Sequence, residues 1–483
     1  MISQYIREQK RYTQKQLCQL LRLSEERVVT VIRKLKEYGV LKTVNRSLSQ
    51  KDLTLLNDQD VEITSVEQGE NDYYYVFTFV GVLIVSGCVL KCYPKYILSN
   101  SEPKEELQQV LKVIERYNTK EQVIHISINS DEGQSFNLLA VLLFLLNDYY
   151  EFGLYSNTED IIEVNGNGEI HWEKTINDSF AVIHNSRPFY GELKTKKRIE
   201  DEYNYFKRLH ECIVTKASRE LQKADLLDLF EINGVDISDD EIDSFGEKDY
   251  ILYRIENELN IQFNTRKQIL LKTMYAYIAY DGDLRDLDCF SIFGTTSFNM
   301  VWEDVCSCVL NNQLNTRLKD LDLPVKLNEK YNANDRLIDL IEKPFWSATN
   351  NTASDTLIPD LVTINHNNGL YQFLIFDAKY YVAVLEEDKS PHGQPGIESV
   401  TKQYLYQLAF MDFINVHSIN SIANCFLLPT EQSEVQDKGD VELQILHNLG
   451  LQNILVRFVP AAMFYDYYLS GKKASVVQLL ECK

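Results

Sequence analysis

The stretch TLIPDLVTINHNNGLYQFLIFDAKYY, residues 356–381, decides the fold of the C-terminal part of the chain. Two runs rich in β-branched and aromatic residues flank Asn368-Gly369, a dipeptide that favours a tight hairpin turn. The pattern predicts a short strand over 361–364, a turn within 365–369 and a second strand over 370–381. A tight hairpin pairs the outer ends of its two strands, so these ends lie side by side.

Charged residues interrupt the apolar pattern at both outer ends of this hairpin. Asp360 begins the first strand, and Asp377 and Lys379 stand two residues apart near the end of the second. Alternate residues of a strand share a face, so Asp377 and Lys379 project together and the hairpin brings Asp360 beside Asp377. Two carboxylates suit Mg²⁺ or Mn²⁺, and a lysine beside them can orient a water molecule that attacks a phosphodiester. The alternative is that both aspartates merely end strands and Lys379 pairs with one of them.

The same residues resemble the PD-(D/E)XK nuclease superfamily through Pro359-Asp360 and Asp377-Ala378-Lys379. The resemblance implies a C-terminal α/β nuclease domain over 286–483 that cleaves DNA with Mg²⁺, for which Mn²⁺ can substitute. In such a domain, Asp360, Asp377 and the backbone carbonyl of Ala378 would hold the cation.

Two flanking helices extend this resemblance. FNMVWEDVCSCVL, from Phe298, supplies Glu303 on a helix before the hairpin, and the helix after it carries Gln403 and Gln407 on one face. The resemblance implies catalytic roles for all three residues. Strands over 422–428 and 454–459 are expected to complete the sheet.

Further motifs widen the resemblance beyond the candidate site. They are FVGVLIVSGCVLKCYPKYI from Phe79, GNGEIHWEKTIN from Gly166 and FGTTSFNMVWEDVC from Phe293. The chain looks like the LlaJI-type restriction endonucleases, which are similar to the nuclease subunit of the McrBC system. This resemblance implies an anti-phage nuclease that acts with a separate AAA+ GTPase. It also implies that the same system can include a methyltransferase. The sequence has no GxxxxGK[ST] loop, so we expect another chain to bind the nucleotide.

Residues 1–50 contrast in charge with the rest of the chain. They hold eleven Lys and Arg residues against four acids, whereas the whole chain has a net charge of −22. Thr13 begins a capping box, and a second helix runs from Ser24 towards Gly39. Together with a leading helix before Thr13 and a following strand, this order predicts a winged helix-turn-helix. Its outward-facing residues Thr30, Arg33 and Lys34 are candidates for DNA contact; the alternative is a protein-binding module.

The middle of the chain offers no catalytic constellation. After a polar stretch that begins near residue 46, strand patterns from Tyr73 predict a mixed α+β domain over 70–195, to which we assign partner docking. A mainly helical region follows over 200–285. Its acidic segment DISDDEID, from Asp236, lacks the glycine that a calcium loop needs and is interpreted as a solvated loop. The fold class is therefore multidomain α+β.

Composition narrows the remaining classes of protein. The longest apolar runs are shorter than the ~20 residues of a membrane helix, and the N-terminus has no signal-peptide core, so we expect a cytoplasmic protein without membrane contact. The nine cysteines include no CxxC pair, which argues against structural zinc. Two other functions stay open: a winged-helix DNA-binding regulator, and an assembly subunit with an inactive nuclease-like domain.

Overall fold

The computed structural model describes residues 1–45, 73–119, 136–156, 158–185, 187–200, 205–280, 283–286, 289–367, 369–386 and 389–480. The polar stretch after the N-terminal module and Asn368 of the predicted turn lie outside these residues. The chain divides into two compact units, one of residues 2–123 with 292–483 and the other of residues 124–291 with Met1.

The larger unit begins with strand β1 (Ile2–Arg7). β1 pairs in parallel with β6 (Cys88–Tyr93), and Ile6 is fully buried in this pairing. The prediction of a leading helix before Thr13 is therefore wrong. Pairing with a distant strand outweighs the weak helical preference of this short segment.

A helical pair follows the first strand and agrees with the sequence pattern. The Thr13 backbone N–H donates to Gln16 Oε1 at 2.8 Å, which confirms the capping box. The second helix buries its apolar stripe and carries its charges outward. The module consists, in chain order, of β2 (Arg11–Tyr12), α1 (Gln14–Leu21), α2 (Glu25–Glu37), β3 (Leu41–Asn45) and β4 (Tyr73–Phe77). Its strands form an antiparallel sheet in the order β2-β4-β3.

The larger unit also contains a four-stranded sheet that includes β1 and β6. Its order is β1-β6-β5-β12, with β5 at Val80–Val85 and β12 at Phe290–Thr295. Glycines allow β5 and β12 to approach closely, because a Cβ on Gly81 would lie 2.2 Å from the Phe293 carbonyl oxygen. Helix α3 (Lys104–Thr119) belongs to the same unit.

The C-terminal part of the larger unit is a five-stranded sheet with helices around it. The sheet comprises β15 (Leu361–Asn367), β16 (Leu370–Ala378), β17 (Ser421–Thr430), β18 (Gln436–Val441) and β19 (Ile454–Pro460). The strand order is β15-β16-β17-β19-β18; β16, β17 and β19 run parallel, while β15 and β18 are antiparallel edges. The two strands expected after the hairpin are confirmed, and the polar edge strand β18 was not predicted.

Helices cover this sheet and bury its apolar side chains. Phe410 and Phe413 on the long helix after β16 pack in one buried cluster with Phe373 and Ile375 of β16. The remaining elements of this region are α9 (Phe298–Val309), 3-10 turns at Leu318–Asp320, Leu337–Leu340 and Gln444–Leu449, the short pair β13 (Phe345–Trp346) and β14 (Asn351–Thr352), α10 (Ile397–Val416), α11 (Ala461–Ser470) and α12 (Val476–Leu480).

The smaller unit combines a helical core with short strands. A buried carboxylate, Asp148, lies in its helical part and pairs with the half-buried Arg266, whose Nη2 lies 2.6 Å from Asp148 Oδ2. The elements of this unit are, in chain order, α4 (Leu138–Phe152), β7 (Thr158–Val164), β8 (Glu169–Ile170), α5 (Trp172–Asp178), β9 (Ala181–His184), β10 (Arg187–Tyr190), β11 (Lys194–Glu200), α6 (Tyr205–Lys223), a 3-10 turn at Ile242–Phe245, α7 (Lys248–Ile261) and α8 (Thr265–Tyr280). Three of these helices, α6, α7 and α8, lie in the region 200–285 that the sequence predicts to be mainly helical.

The acidic segment from Asp236 lies in this unit as a loop fastened to α6. Arg219 pairs with Asp236 at 2.7 Å, and Arg208 pairs with Asp240 at 2.8 Å. These carboxylates are partly or largely exposed, in agreement with a solvated loop.

The division into units differs from the domain boundaries expected for 70–195. Strands β5 and β6 belong to the larger unit because they pair with β1 and β12, whereas residues 124–195 belong to the smaller unit. Long-range strand pairing, which local sequence patterns do not encode, sets this division.

Two further observations concern thiols and membrane helices. Each cysteine in the described part of the chain is a free thiol. Across the same residues, no helix combines the length and the apolar character needed to cross a bilayer.

Candidate active site

The hairpin has the register that the sequence predicts at its outer end. Leu361 of β15 pairs with Phe376 of β16, so Asp360 and Asp377 stand side by side just beyond this pair. Two boundaries differ from the prediction: β15 extends to Asn367, and β16 ends at Ala378. The next residue still bonds to β17, because the Lys379 N–H donates to the Leu427 carbonyl at 2.9 Å. The chain then turns, and the Tyr381 N–H donates to the Lys379 carbonyl at 2.9 Å.

Three charged side chains meet at this strand end. Asp377 is 4% exposed, and its Oδ1 lies 2.9 Å from Lys379 Nζ. Asp360 is half-buried, and its Oδ2 accepts a hydrogen bond from the Ala378 backbone N–H at 2.8 Å. The structure thus brings together the three residues that the sequence singled out.

Electrostatic repulsion makes this site unfavourable for a second negative charge. Removal from water raises the pKa of Asp360, and the neighbouring carboxylate of Asp377 raises it further, to about 9. Glu303 of α9 acts in the same direction, whereas Lys379 opposes it. The helix before the hairpin therefore does place Glu303 within electrostatic reach of Asp360.

Two residues that the sequence analysis did not single out hold the Asp360 segment. Asn312 Nδ2 donates to the Asp360 carbonyl at 3.1 Å, and its Oδ1 accepts from the Val362 N–H at 3.1 Å. Tyr406 of α10 donates to the Ile358 carbonyl at 3.0 Å. Burial raises the pKa of Tyr406, and Asp377 and Asp360 add to the effect. No motif marks either residue, because each acts from a segment distant in sequence.

The donor set fits a hard divalent cation. Asp360 and Asp377 supply carboxylate oxygens, and a cation between them would remove the repulsion that raises the pKa of Asp360. Within the described residues, no three Asp, Glu, His or Cys side chains already form a metal cage. Water, phosphate or backbone oxygens would therefore complete the coordination, as is usual for Mg²⁺.

The two glutamines of α10 lie between this helix and the sheet. Both are fully buried. Gln403 Nε2 donates to the Ile375 carbonyl at 2.9 Å, and Gln407 Oε1 accepts from Asn424 Nδ2 at 2.7 Å. These bonds fasten the helix to β16 and β17. Contact of either side chain with the reaction stays a prediction.

The candidate DNA-contact residues lie on α2, in the N-terminal module of the same unit. Thr30 and Arg33 are exposed, as expected for the outward face, and Lys34 is half-buried. The structure therefore presents Thr30 and Arg33 to solvent, while the role of this face in DNA binding stays a prediction.

Comparisons with known proteins agree with the extent of the sequence motifs. A model of the LlaJI restriction endonuclease family matches residues 79–462. The YdjA component of the type II restriction enzyme BsuMI from Bacillus subtilis (strain 168) is 26% identical over 419 residues, which cover 84% of this chain and 83% of that protein.

Two solved assemblies from Thermococcus gammatolerans also show similarity. A chain of the half-complex of McrB AAA+ hexamers with bound McrC aligns with a TM-score of 0.37 and 12% identity, covering 97% of this chain and 99% of that chain. The McrBC complex gives a TM-score of 0.26 and 11% identity, covering 62% of this chain and 84% of that chain. With the family model matching most of its length, the chain belongs to the LlaJI restriction endonuclease family.

Proposed function

We propose that this chain is the DNA-cleaving subunit of a restriction system and that it hydrolyses phosphodiester bonds with Mg²⁺. The observation that carries the proposal is the meeting of Asp360, Asp377 and Lys379 at one strand end. Membership in a restriction endonuclease family supports the same activity. The PD-(D/E)XK assignment of residues 286–483 is part of this proposal.

Each of the three residues has a distinct role in the proposed reaction. Asp360 and Asp377 would hold the cation through their carboxylates. When bound, Mg²⁺ would polarise the scissile phosphate and lower the pKa of a coordinated water. Lys379 would orient the attacking water and offset the charge that develops on the phosphate. Glu303 would support the cation from α9 through a water molecule.

We further propose that the chain acts with a separate AAA+ GTPase and binds no nucleotide itself. The B. subtilis relative is named as one component of its restriction enzyme, which supports a multi-subunit system. The net charge of −22 also disfavours tight DNA binding by this chain alone. A methyltransferase of the same system would protect host DNA.

The smaller unit offers a surface suited to a protein partner. Large apolar side chains are exposed on α5, on the strands β9 and β10 and in the loop between α5 and β9, and exposed apolar side chains in such number are typical of an interaction site. These side chains are Phe180 (98% exposed), Ile183 (75%), Val182 (68%), Phe189 and Ile176 (56% each) and Trp172 (55%). We assign partner docking to this surface, within the range 70–195 expected from sequence.

The test is reconstitution with the neighbouring AAA+ protein. The chain, its partner, Mg²⁺, GTP or ATP and unmethylated plasmid are mixed, and DNA cleavage is followed on a gel. We expect cleavage that requires Mg²⁺ and is lost in Asp377→Asn. Exchanging Phe180 and Ile183 for serine tests docking separately, because it should abolish partner binding while leaving Mg²⁺ binding unchanged.

A further inference from the structure

A buried carboxylate lies close to the candidate site without belonging to it. Glu8, directly after β1, is 3% exposed. Its Oε2 accepts a hydrogen bond from the Tyr380 hydroxyl at 2.5 Å and another from the Lys95 backbone N–H at 3.3 Å. Burial raises the pKa of Glu8, and Lys95 opposes that effect.

Tyr380 is the residue directly after Lys379. Successive side chains at a strand end point to opposite sides, so Lys379 reaches Asp377 while Tyr380 enters the core. There the Tyr380 ring centroid lies 5.2 Å from that of Phe298 and 4.4 Å from Lys95 Nζ. Beyond the end of β16, the Tyr380 side chain therefore anchors the backbone that carries Lys379.

Packing alone does not account for this arrangement. A buried carboxylate carries a desolvation cost that an apolar side chain of similar size would not, and the nearby charge of Lys95 offsets part of that cost. Glu8 also orients the Tyr380 side chain, because it accepts a hydrogen bond that fixes the position of the Tyr380 hydroxyl. Lys379 is the catalytic group that benefits, since its ion pair requires a fixed backbone position.

We propose that Glu8 is a positioning residue that acts through Tyr380 to hold Lys379 against Asp377. The N-terminal segment is then a structural part of the active site, and not a separable appendage of a self-sufficient C-terminal nuclease. The catalytic role of Lys379 in this inference rests on the proposed function; the positional role of Glu8 does not.

The first experiment measures the position of Lys379 without reference to cleavage. The full-length protein is treated with formaldehyde and a borohydride reagent, and methylation of each lysine is timed by peptide mass spectrometry. We expect Glu8→Ala and Tyr380→Phe to speed methylation of Lys379 several-fold relative to exposed Lys326. Glu8→Gln should resemble the parent, because its amide oxygen still accepts the Tyr380 hydrogen bond.

A matched control removes a different hydroxyl from the same core. Tyr465 Oη and Tyr96 Oη are 2.9 Å apart, and Tyr465 is 1% exposed. Tyr465→Phe should lower the thermal stability much as Tyr380→Phe does, yet leave Lys379 methylation at the parental rate. Unchanged Lys379 methylation in both Glu8→Ala and Tyr380→Phe, or equal acceleration in the Tyr465 control, would overturn the inference.

The second experiment uses the reconstituted nuclease. Glu8→Ala and Tyr380→Phe should lower kcat about tenfold to a hundredfold with little change in KM, because misplacing a catalytic group affects the chemical step. Parental kcat in both folded variants would contradict the inference. A parent that fails to cleave DNA would instead contradict the proposed function, and Lys379 methylation would still decide the role of Glu8.

Discussion

Lys379 Nζ lies 2.9 Å from Asp377 Oδ1, although only one residue separates them in sequence. Asp377 is nearly removed from solvent, and the lysine side chain is 22% exposed. The lysine side chain is therefore the more accessible of the two to a substrate that approaches from solvent.

This arrangement predicts separable effects of substitution. Asp360→Asn and Asp377→Asn should each lose Mg²⁺ binding and reduce cleavage by at least about a hundredfold, because both remove a charged ligand. Lys379→Ala should reduce cleavage comparably but still bind Mg²⁺. Isothermal titration calorimetry and plasmid cleavage measure the two effects, and circular dichroism checks the fold. Parental cleavage by Asp377→Asn would refute the site assignment.

Metal binding should depend on pH through Asp360. Its pKa is raised to about 9, so the metal-free protein keeps this carboxyl protonated at pH 7 and Mg²⁺ must displace the proton. Affinity should rise from pH 6 towards pH 9, with about one proton released per cation at pH 7. Calorimetry in buffers of different ionisation enthalpy counts that proton. The prediction fails if affinity is the same at pH 6 and pH 9.

The raised pKa of Asp360 also determines how the stability of the metal-free protein changes with pH. A raised folded-state pKa contributes stability that is present below the unfolded pKa of about 4 and is lost as pH rises through about 9. The thermal midpoint of metal-free protein should therefore fall more steeply over this range than that of Asp360→Asn. Equal slopes for the two proteins would show that Asp360 is ionised throughout.

Glu303 should have a milder role than the two aspartates. It lies on α9, outside the hairpin that carries the two aspartates, and it raises the pKa of Asp360 less than Asp377 does. Glu303→Gln should weaken Mg²⁺ binding and slow cleavage about tenfold, consistent with support through a water molecule. Loss as large as in Asp377→Asn would make Glu303 a direct ligand.

Charge reversal on α2 tests the N-terminal module. If this helix contacts DNA, Arg33→Glu with Lys34→Glu should weaken DNA binding. The slope of log affinity against log salt concentration should also fall by about one to two, because fewer counterions are released on binding. Lys223→Glu with Lys272→Glu is the matched control, since both lysines are exposed in the smaller unit and the change in net charge is the same. Fluorescence anisotropy at several salt concentrations measures both. Identical salt slopes in the parent and the α2 variant would favour the protein-binding alternative.

The hairpin was predictable because its determinants are local. A turn dipeptide between two strand patterns sets the register, and register alone brings Asp360 beside Asp377. The capping box of Thr13 is equally local, and it is present. The hairpin pattern, together with the charged residues Asp360, Asp377 and Lys379 at its outer ends, thus sufficed to locate the candidate site.

Other features depend on segments far apart in the chain. The sequence of β1 suggests the start of a helix, but its pairing with the distant β6 makes it a strand. Long-range strand pairing also divides residues 70–195 between two units. The support of the site is also non-local: Tyr380 and Glu8 are 372 residues apart, and neither belongs to a motif. Sequence patterns thus identified the residues proposed for the chemistry, but not those that hold them in place.

Cleavage of unmethylated plasmid by the chain reconstituted with its AAA+ partner, Mg²⁺ and nucleotide tests the proposed function most directly. We expect double-strand cleavage by the parent, none when EDTA replaces Mg²⁺, and none by Asp377→Asn under conditions where that variant still binds the partner. We also expect little cleavage by the chain alone. Cleavage by Asp377→Asn at the parental rate would contradict the proposed function, because the activity would then arise elsewhere.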